Sequence, residues 1–172
     1  MAATPTELYR AIVDAWNGRD ADRMSAAFAD DGTLIGFDGT TVQTRTGVRD
    51  HLQPIFASHP TASYVAIERE ARALTPTVAI VRGIAGMIPP GGTDFKPELT
   101  TVHTLVAILD GAMPEPRWKA AIFQATPAAW HGRPDDLAAV LDELRARRDQ
   151  GAGASSPAAA TTSASASRAS SR

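Results

Sequence analysis

The sequence predicts an α+β fold in which helices lead into, and close off, an antiparallel sheet. Three observations carry this. Apolar residues recur at helical spacing as far as residue 58, the period drops to two after His59-Pro60, and helical spacing returns from Pro134. Helices first and long strands in sequence order afterwards fit segregated layers better than alternating βαβ units.

The first helix has a full set of start signals. Thr4 can cap it, Pro5 suits its first position, and Glu7 completes a T-x-x-E capping box. Leu8, Ile12, Ala15 and Trp16 then form one stripe, and Asn17-Gly18 stops it. Asp20 can cap a second, shorter helix carrying Met24, Ala27 and Phe28, which Asp30-Asp31-Gly32 should end. TLIGF (33–37) and TVQTR (41–45) read as short strands around an Asp38-Gly39 turn. A third helix, capped by Thr46, places Val48, Leu52, Ile55 and Phe56 on one side, with Pro54 expected to kink it or end its regular part. Residues 63–74 alternate as a half-solvated strand. VAIVRGIAGMI (78–88), LTTVHTLVAIL (99–109) and RWKAAIFQAT (117–126) complete a meander. The closing helix carries Leu137, Val140, Leu141 and Leu144, with Asp135 and Asp136 at its start and arginines near its end, as the helix dipole favours.

Composition sets further bounds. Of 172 residues, the last 22 hold eight Ala, seven Ser and no large apolar side chain. Residues 1–150 are therefore expected to form one domain and 151–172 a disordered Ala/Ser-rich tail. Net charge is −2 overall, and without Arg168 and Arg172 the body has 15 basic against 19 acidic groups. Such a body is a poor partner for nucleic acid or an anionic membrane. With no cysteine, Cys-ligated zinc, iron–sulfur clusters and thiol catalysis are excluded. The opening MAATPTELYR shows no secretory pattern, and no apolar run reaches about 18 residues, so a cytoplasmic location is expected.

Familiar motifs are missing. There is no G-x-G-x-x-G fingerprint, Pro89-Pro90-Gly91-Gly92 lacks the Lys-Ser/Thr of a phosphate loop, and Ser25, Ser58 and Ser63 do not stand in G-x-S-x-G. His51, His59, His103 and His131 have no metal-ligand spacing, so neither metal nor cofactor is expected. What remains is polar groups set among apolar ones. His51 stands beside the third helix's stripe, His103 interrupts a strand face, Asp38 sits at the hairpin turn, and Arg82 lies amid apolar strand residues. Each also has a structural reading: Asp38 shaping an Asx turn, Arg82 paired with Glu68 or Glu70 across strands.

The stretches AWNGRDADRMSAAFADDGTLIGFDG (15–39), HLQPIF (51–56), RALTPTVAIVRGIAGMIPPGG (72–92), TLVAILDG (104–111) and RWKAAIFQATPAAWHGRP (117–134) resemble the nuclear transport factor 2-like superfamily, which includes ketosteroid isomerases and SnoaL-like polyketide cyclases. They look most like its bacterial SgcJ/EcaC group. The resemblance implies a cone: three N-terminal helices on a curved antiparallel sheet, a C-terminal helix, and a pocket at the open end for a small hydrophobic ligand. The isomerases' base falls at Gly36 and their oxyanion-hole Tyr at Ile12, so that machinery is missing in its known form. Their oxyanion acid falls near His103. The SgcJ/EcaC pattern has His at position 51, Gln at 103 and Asn at 125, where this chain has His51, His103 and Ala125.

The sequence thus points to a pocket protein, either a polyketide-type isomerase or cyclase using His-based acid/base chemistry, or a non-catalytic binding or assembly module. In the enzyme reading, His51 is the general acid/base, because an unperturbed imidazole titrates near working pH. Asp38 would orient it or share the proton, and His103 would receive a developing oxyanion. Trp16, Phe56, Arg82, Trp118 and Gln124 are the expected ligand contacts. Because the central strands are apolar on both faces, a homodimer through the sheet is expected.

Overall fold

The computed structural model describes residues 2–112 and 114–154. The chain starts with α1 (Pro5–Asn17) and α2 (Ala21–Ala26), followed by β1 (Phe28–Ile35) and β2 (Thr41–Gln43). Then come α3 (Arg45–Ser58), β3 (Ser63–Thr75), β4 (Val78–Ile88), a 3-10 turn (Pro97–Leu99), β5 (Thr101–Asp110), β6 (Arg117–Pro127) and α4 (Pro134–Ala154). The expected α+β order is present. α4 continues to Ala154, into the segment expected to be a tail, and the rest of that segment lies outside the described residues.

Local chemistry accounts for most boundaries. The Thr4 hydroxyl accepts from the Glu7 N–H at 3.1 Å, and Glu7 Oε2 accepts from the Ala3 N–H, one residue outside the expected box. Asp20 caps α2 through the Arg23 N–H at 2.8 Å. α2 then ends earlier than expected, because Phe28 opens β1 instead of closing the helix. This pairing is non-local: Phe28 lies opposite Ala120 of β6, and Arg45 Nε donates to the Phe28 carbonyl. Asp30, Asp31 and Gly32 span an irregularity in that pairing, where a Cβ on Gly32 would stand 2.5 Å from the Ala120 carbonyl oxygen. The cap of α3 is Thr44, not Thr46; its hydroxyl accepts from the Gly47 N–H at 3.1 Å. α3 also runs on to Ser58 past Pro54.

The six strands lie in the order β2-β1-β6-β5-β4-β3. All neighbours are antiparallel except β1 and β6, which run parallel, so the sheet is mixed at one join. Helices α1–α3 pack on its inner face, where Leu8, Ile12, Val48, Leu52, Val81, Leu105 and Phe123 form the main core. α4 lies on the opposite face over β3 and β4. There Leu141, Leu144 and Phe95 close over Val65, Ile67 and Ile88. Gly86 lets them approach: a Cβ would stand 2.6 Å from Phe95 and 2.9 Å from Leu144. Arg145 and Arg148 hold the loop after β4 through Asp94, at 2.9 and 3.4 Å. α4 therefore takes part of the outer face and leaves the cross-strand row Ile80, Val106 and Ile122 outside its cover, the first two half-buried and Ile122 exposed. No helix of the described residues is long and apolar enough to cross a membrane.

Leu144 is fully buried and is the centre of α4's attachment. Leu144→Ala should lower unfolding free energy by about 2–5 kcal/mol, since the cavity it leaves adds to the lost transfer energy. Urea titration checks this; a change below about 0.5 kcal/mol, the usual range for a surface site, would mean that α4 contributes little.

Candidate functional site

α1 ends against the first residues of β3, and that junction builds one wall of a cavity. Asn17 brackets Tyr64: its Nδ2 donates to the Tyr64 carbonyl and its Oδ1 accepts from the Tyr64 N–H, both at 2.8 Å. One residue earlier, Trp16 Nε1 donates to the Ala62 carbonyl at 2.9 Å. These bonds satisfy backbone groups at the strand's start that would otherwise be unpaired. They also set the indole edge-on to Phe56, with centroids 5.4 Å apart, and 5.6 Å from the Tyr64 ring.

The cavity between α1, α3, the β1–β2 hairpin and the inner sheet face has a volume of about 280 Å³. Its walls are mostly apolar, with Ile12, Trp16, Leu34, Phe37, Leu52 and Phe123 among them. The polar side chains converging on it are Asp38, Thr40, His51, Thr61, Tyr64 and His103. A larger polar groove, about 880 Å³, lies between α1, β3 and the end of α4. It contains none of the residues singled out from the sequence.

Four of those residues meet in the cavity: His51, Asp38, His103 and Trp16. Phe56 stands behind Trp16 and does not line it. Three expected ligand contacts lie elsewhere. Arg82 is on the outer face, paired with Glu70 at 3.5 Å, because its position on β4 alternates with inward Val81 and Gly83. Gln124 also points outward, between inward Phe123 and Ala125, and donates to the Thr126 hydroxyl at 3.0 Å. Trp118 is at the far end of β6 beside Leu8 and Ala11. Tyr9, Asn17, Tyr64 and Gly83 were not identified from the sequence, although Tyr9, Val13 and Trp16 repeat at i, i+4 and i+7 on the core side of α1.

The polar groups differ in environment. Asp38 spends one oxygen on the Thr40 N–H at 3.0 Å and the other on the Thr40 hydroxyl at 2.8 Å. Those bonds hold its carboxyl below the usual carboxylate range, with a smaller contribution from His51. His51 is half-buried, and its ring makes no hydrogen bond to a described residue. The Asp38 and His51 side chains share the cavity wall without a hydrogen bond between them. His103 is fully buried between the rings of Tyr64 and Phe123, with centroids 4.9 and 5.1 Å away. Its Nδ1 meets the Tyr9 hydroxyl at 3.1 Å, while Nε2 has no partner among the described residues. Also among the described residues, no cluster of three His, Asp or Glu side chains could hold a metal ion.

Burial strips water from a charged imidazole and pushes the His103 pKa from 6.5 down to about 3. The unfolded chain therefore takes up a proton near pH 6.5 that the folded chain refuses until about pH 3. Stability from this ring is fully present above the unfolded value and is lost as pH falls through that window. His103→Gln has no such group to titrate. Between about pH 7 and 4, wild-type stability in urea should fall more steeply than the variant's; parallel slopes would reject the buried neutral ring.

Comparison with known proteins places this architecture. A model of the SnoaL-like domain matches residues 9–113, more than half of the chain. No curated protein matches. Among solved structures, a domain of unknown function with a cystatin-like fold from Nostoc punctiforme is similar at 19% identity and TM-score 0.66, over 86% of this chain and 92% of that one. A putative calcium/calmodulin-dependent protein kinase type II association domain from Thiobacillus denitrificans aligns at 17% and 0.64, over 75% and 98%. A ketosteroid isomerase-like protein from Erwinia carotovora aligns at 15% and 0.55, over 74% and 95%. At such identities the structural likenesses speak for the fold alone. The matched stretch runs from α1 through the cavity-lining strands to the end of β5, and on that ground the chain belongs to the SnoaL-like domain family.

Proposed function

We propose that the protein binds a small hydrophobic carbonyl compound in this cavity and acts on it as a cofactor-independent isomerase or cyclase of polyketide-type secondary metabolism. The observation carrying the reading is that His51, Asp38 and His103, from three separate segments, line one mostly apolar cavity. A pocket with few convergent polar groups orients a ligand through those groups. His51 is the half-buried base: it takes a proton from the carbon beside the carbonyl, the C–H electron pair forms an enolate, and the proton returns at the same or a neighbouring carbon. Asp38 places a carboxylate on the same cavity wall, and His103 receives the enolate oxygen. The SnoaL-like family and the isomerase-like structural neighbour support this class of chemistry.

One observation favours a second reading, a non-catalytic binding or assembly module. Asp38 hydrogen-bonds Thr40 with both oxygens and makes no bond to His51, so no direct contact orients that ring. The similarity to an association domain points the same way. Solvent deuterium exchange into 2-tetralone, a bicyclic enolisable ketone, separates the readings by NMR. The wild type should accelerate exchange, and His51→Ala should lose about 100-fold or more of that acceleration with an unchanged melting temperature. Binding without accelerated exchange selects the module. A His51→Ala loss of about 1–3 kcal/mol in stability with full activity would make the residue structural.

We also propose that a second copy covers the row Ile80, Val106 and Ile122, which α4 leaves open on the outer face. Ile122 is exposed and Ile80 and Val106 are half-buried, and an apolar row left open in this way marks an interaction surface. Sedimentation at micromolar concentration should give twice the 18.1 kDa chain mass, and Ile122→Lys should return a monomer. A wild-type monomer mass would reject the dimer.

A further inference from the structure

The floor of the cavity carries a hydrogen-bonding group whose state is set from outside it. We propose that Tyr9 fixes His103 as the neutral tautomer bearing its proton on Nε2, so that the cavity selects molecules presenting a hydrogen-bond-accepting oxygen, such as a ketone, quinone or enolate, on a flat unsaturated frame. The inference rests on the ligand-binding reading above for its second half and stands apart from it for the first.

The argument begins with a count of polar groups. The Tyr9 hydroxyl is buried and meets His103 Nδ1 at 3.1 Å, its one hydrogen bond among the described residues. Desolvation raises the Tyr9 pKa above that of a free phenol, so the group stays an O–H donor. If Nδ1 carried the proton, the Nε2 lone pair would be buried without a partner, and so would the Tyr9 hydrogen, since the Glu68 carboxylate acts on Tyr9 through space but makes no hydrogen bond to it. With the proton on Nε2, the tyrosine donates to Nδ1 and a single N–H is left over. Each unmet buried group costs free energy, so the second arrangement wins. The leftover N–H is the atom without a partner, on a side chain that lines the cavity.

The surroundings hold this arrangement. Gly83 lies directly across from His103 on β4. A Cβ there would stand 2.2 Å from the Tyr9 hydroxyl oxygen and 2.8 Å from the ring carbon bearing it, so only a bare backbone leaves room for the contact. Tyr64 and Phe123 hold the imidazole edge-on at 4.9 and 5.1 Å. The same two rings, with Trp16, give the cavity aromatic walls suited to a planar ligand. A neutral N–H among such walls rewards an acceptor oxygen. It offers an ammonium nothing, so a cation would be held only away from the floor, beside the Asp38 carboxylate. Tyr9 touches no ligand in this scheme; it is a positioning residue.

Long-range proton–nitrogen NMR on the full chain reads the His103 tautomer directly. The expected result is a protonated Nε2 and a bare Nδ1, whereas a protonated Nδ1 overturns the assignment with no variant needed. Tyr9→Phe should release the ring into a mixed or reversed tautomer, and an unchanged Nε2–H would show that Tyr9 does not position it. Ligand class is tested with 2-tetralone, its hydrocarbon counterpart tetralin and the cation 2-aminotetralin. Wild type should prefer the ketone to tetralin by about tenfold, the worth of one hydrogen bond, and any binding of the amine should not depend on Tyr9. Tyr9→Phe and Gly83→Ala should each bring that preference close to one. Equal binding of ketone and hydrocarbon by wild type overturns the ligand class while leaving the pocket. Binding of none of the three overturns both the ligand class and the pocket reading.

Discussion

The bidentate contact between Asn17 and Tyr64 is the constraint on which the site depends. It joins the last residue of α1 to the second residue of β3 across 47 positions, so helix and strand cannot shift independently. Once that end is fixed, helical geometry places Trp16 against Ala62 and Phe56, and Tyr9 two turns back against His103. Every aromatic ring of the cavity wall on this side is positioned through that junction. The side-chain amide serves because it offers one donor and one acceptor at the spacing of a backbone peptide.

The sheet meets a different demand on each face. On the inner face, small residues alternate with large ones: Gly83, Ala85, Ala107, Ala120 and Ala125 make room where Val81, Leu105 and Phe123 fill it. That uneven relief lets the three helices sit close at one end and leaves an open volume at the other. The outer face is divided between α4, anchored by Leu144 and Phe95, and a β-branched row that no element of the described chain covers. Period-two alternation makes both outcomes possible from one set of strands.

Polarity inside the cavity is graded. The exposed Asp38 and the half-buried His51 belong to segments that reach solvent, where charge is tolerated. The fully buried group, His103, is held neutral and takes its hydrogen-bond character from Tyr9. A carbonyl compound entering between them would meet a proton acceptor near the rim and a fixed donor at the floor.

Element order and type were determined by the sequence alone. The capping of α1 and α2, the bounds of β4 and the start of α4 follow from local spacing and side-chain chemistry, which short-range contacts enforce. His51 beside its helix's stripe, His103 interrupting a strand face and Asp38 at a hairpin turn were also legible as polar groups set among apolar ones, and all three line the cavity. Tertiary structure decided the rest. Phe28 became a strand residue because β6 lies beside it, and a parallel pairing with Ala120 leaves no trace in local sequence. Arg82 and Gln124 fell outside because alternation says which residues share a face without saying which face is covered by helices. Trp118 shows the same limit lengthwise, lying at the other end of its strand from the cavity. Tyr9, an ordinary core position by spacing, gained its role only because Gly83, 74 residues away in sequence, lacks a Cβ where its hydroxyl must pass to reach His103.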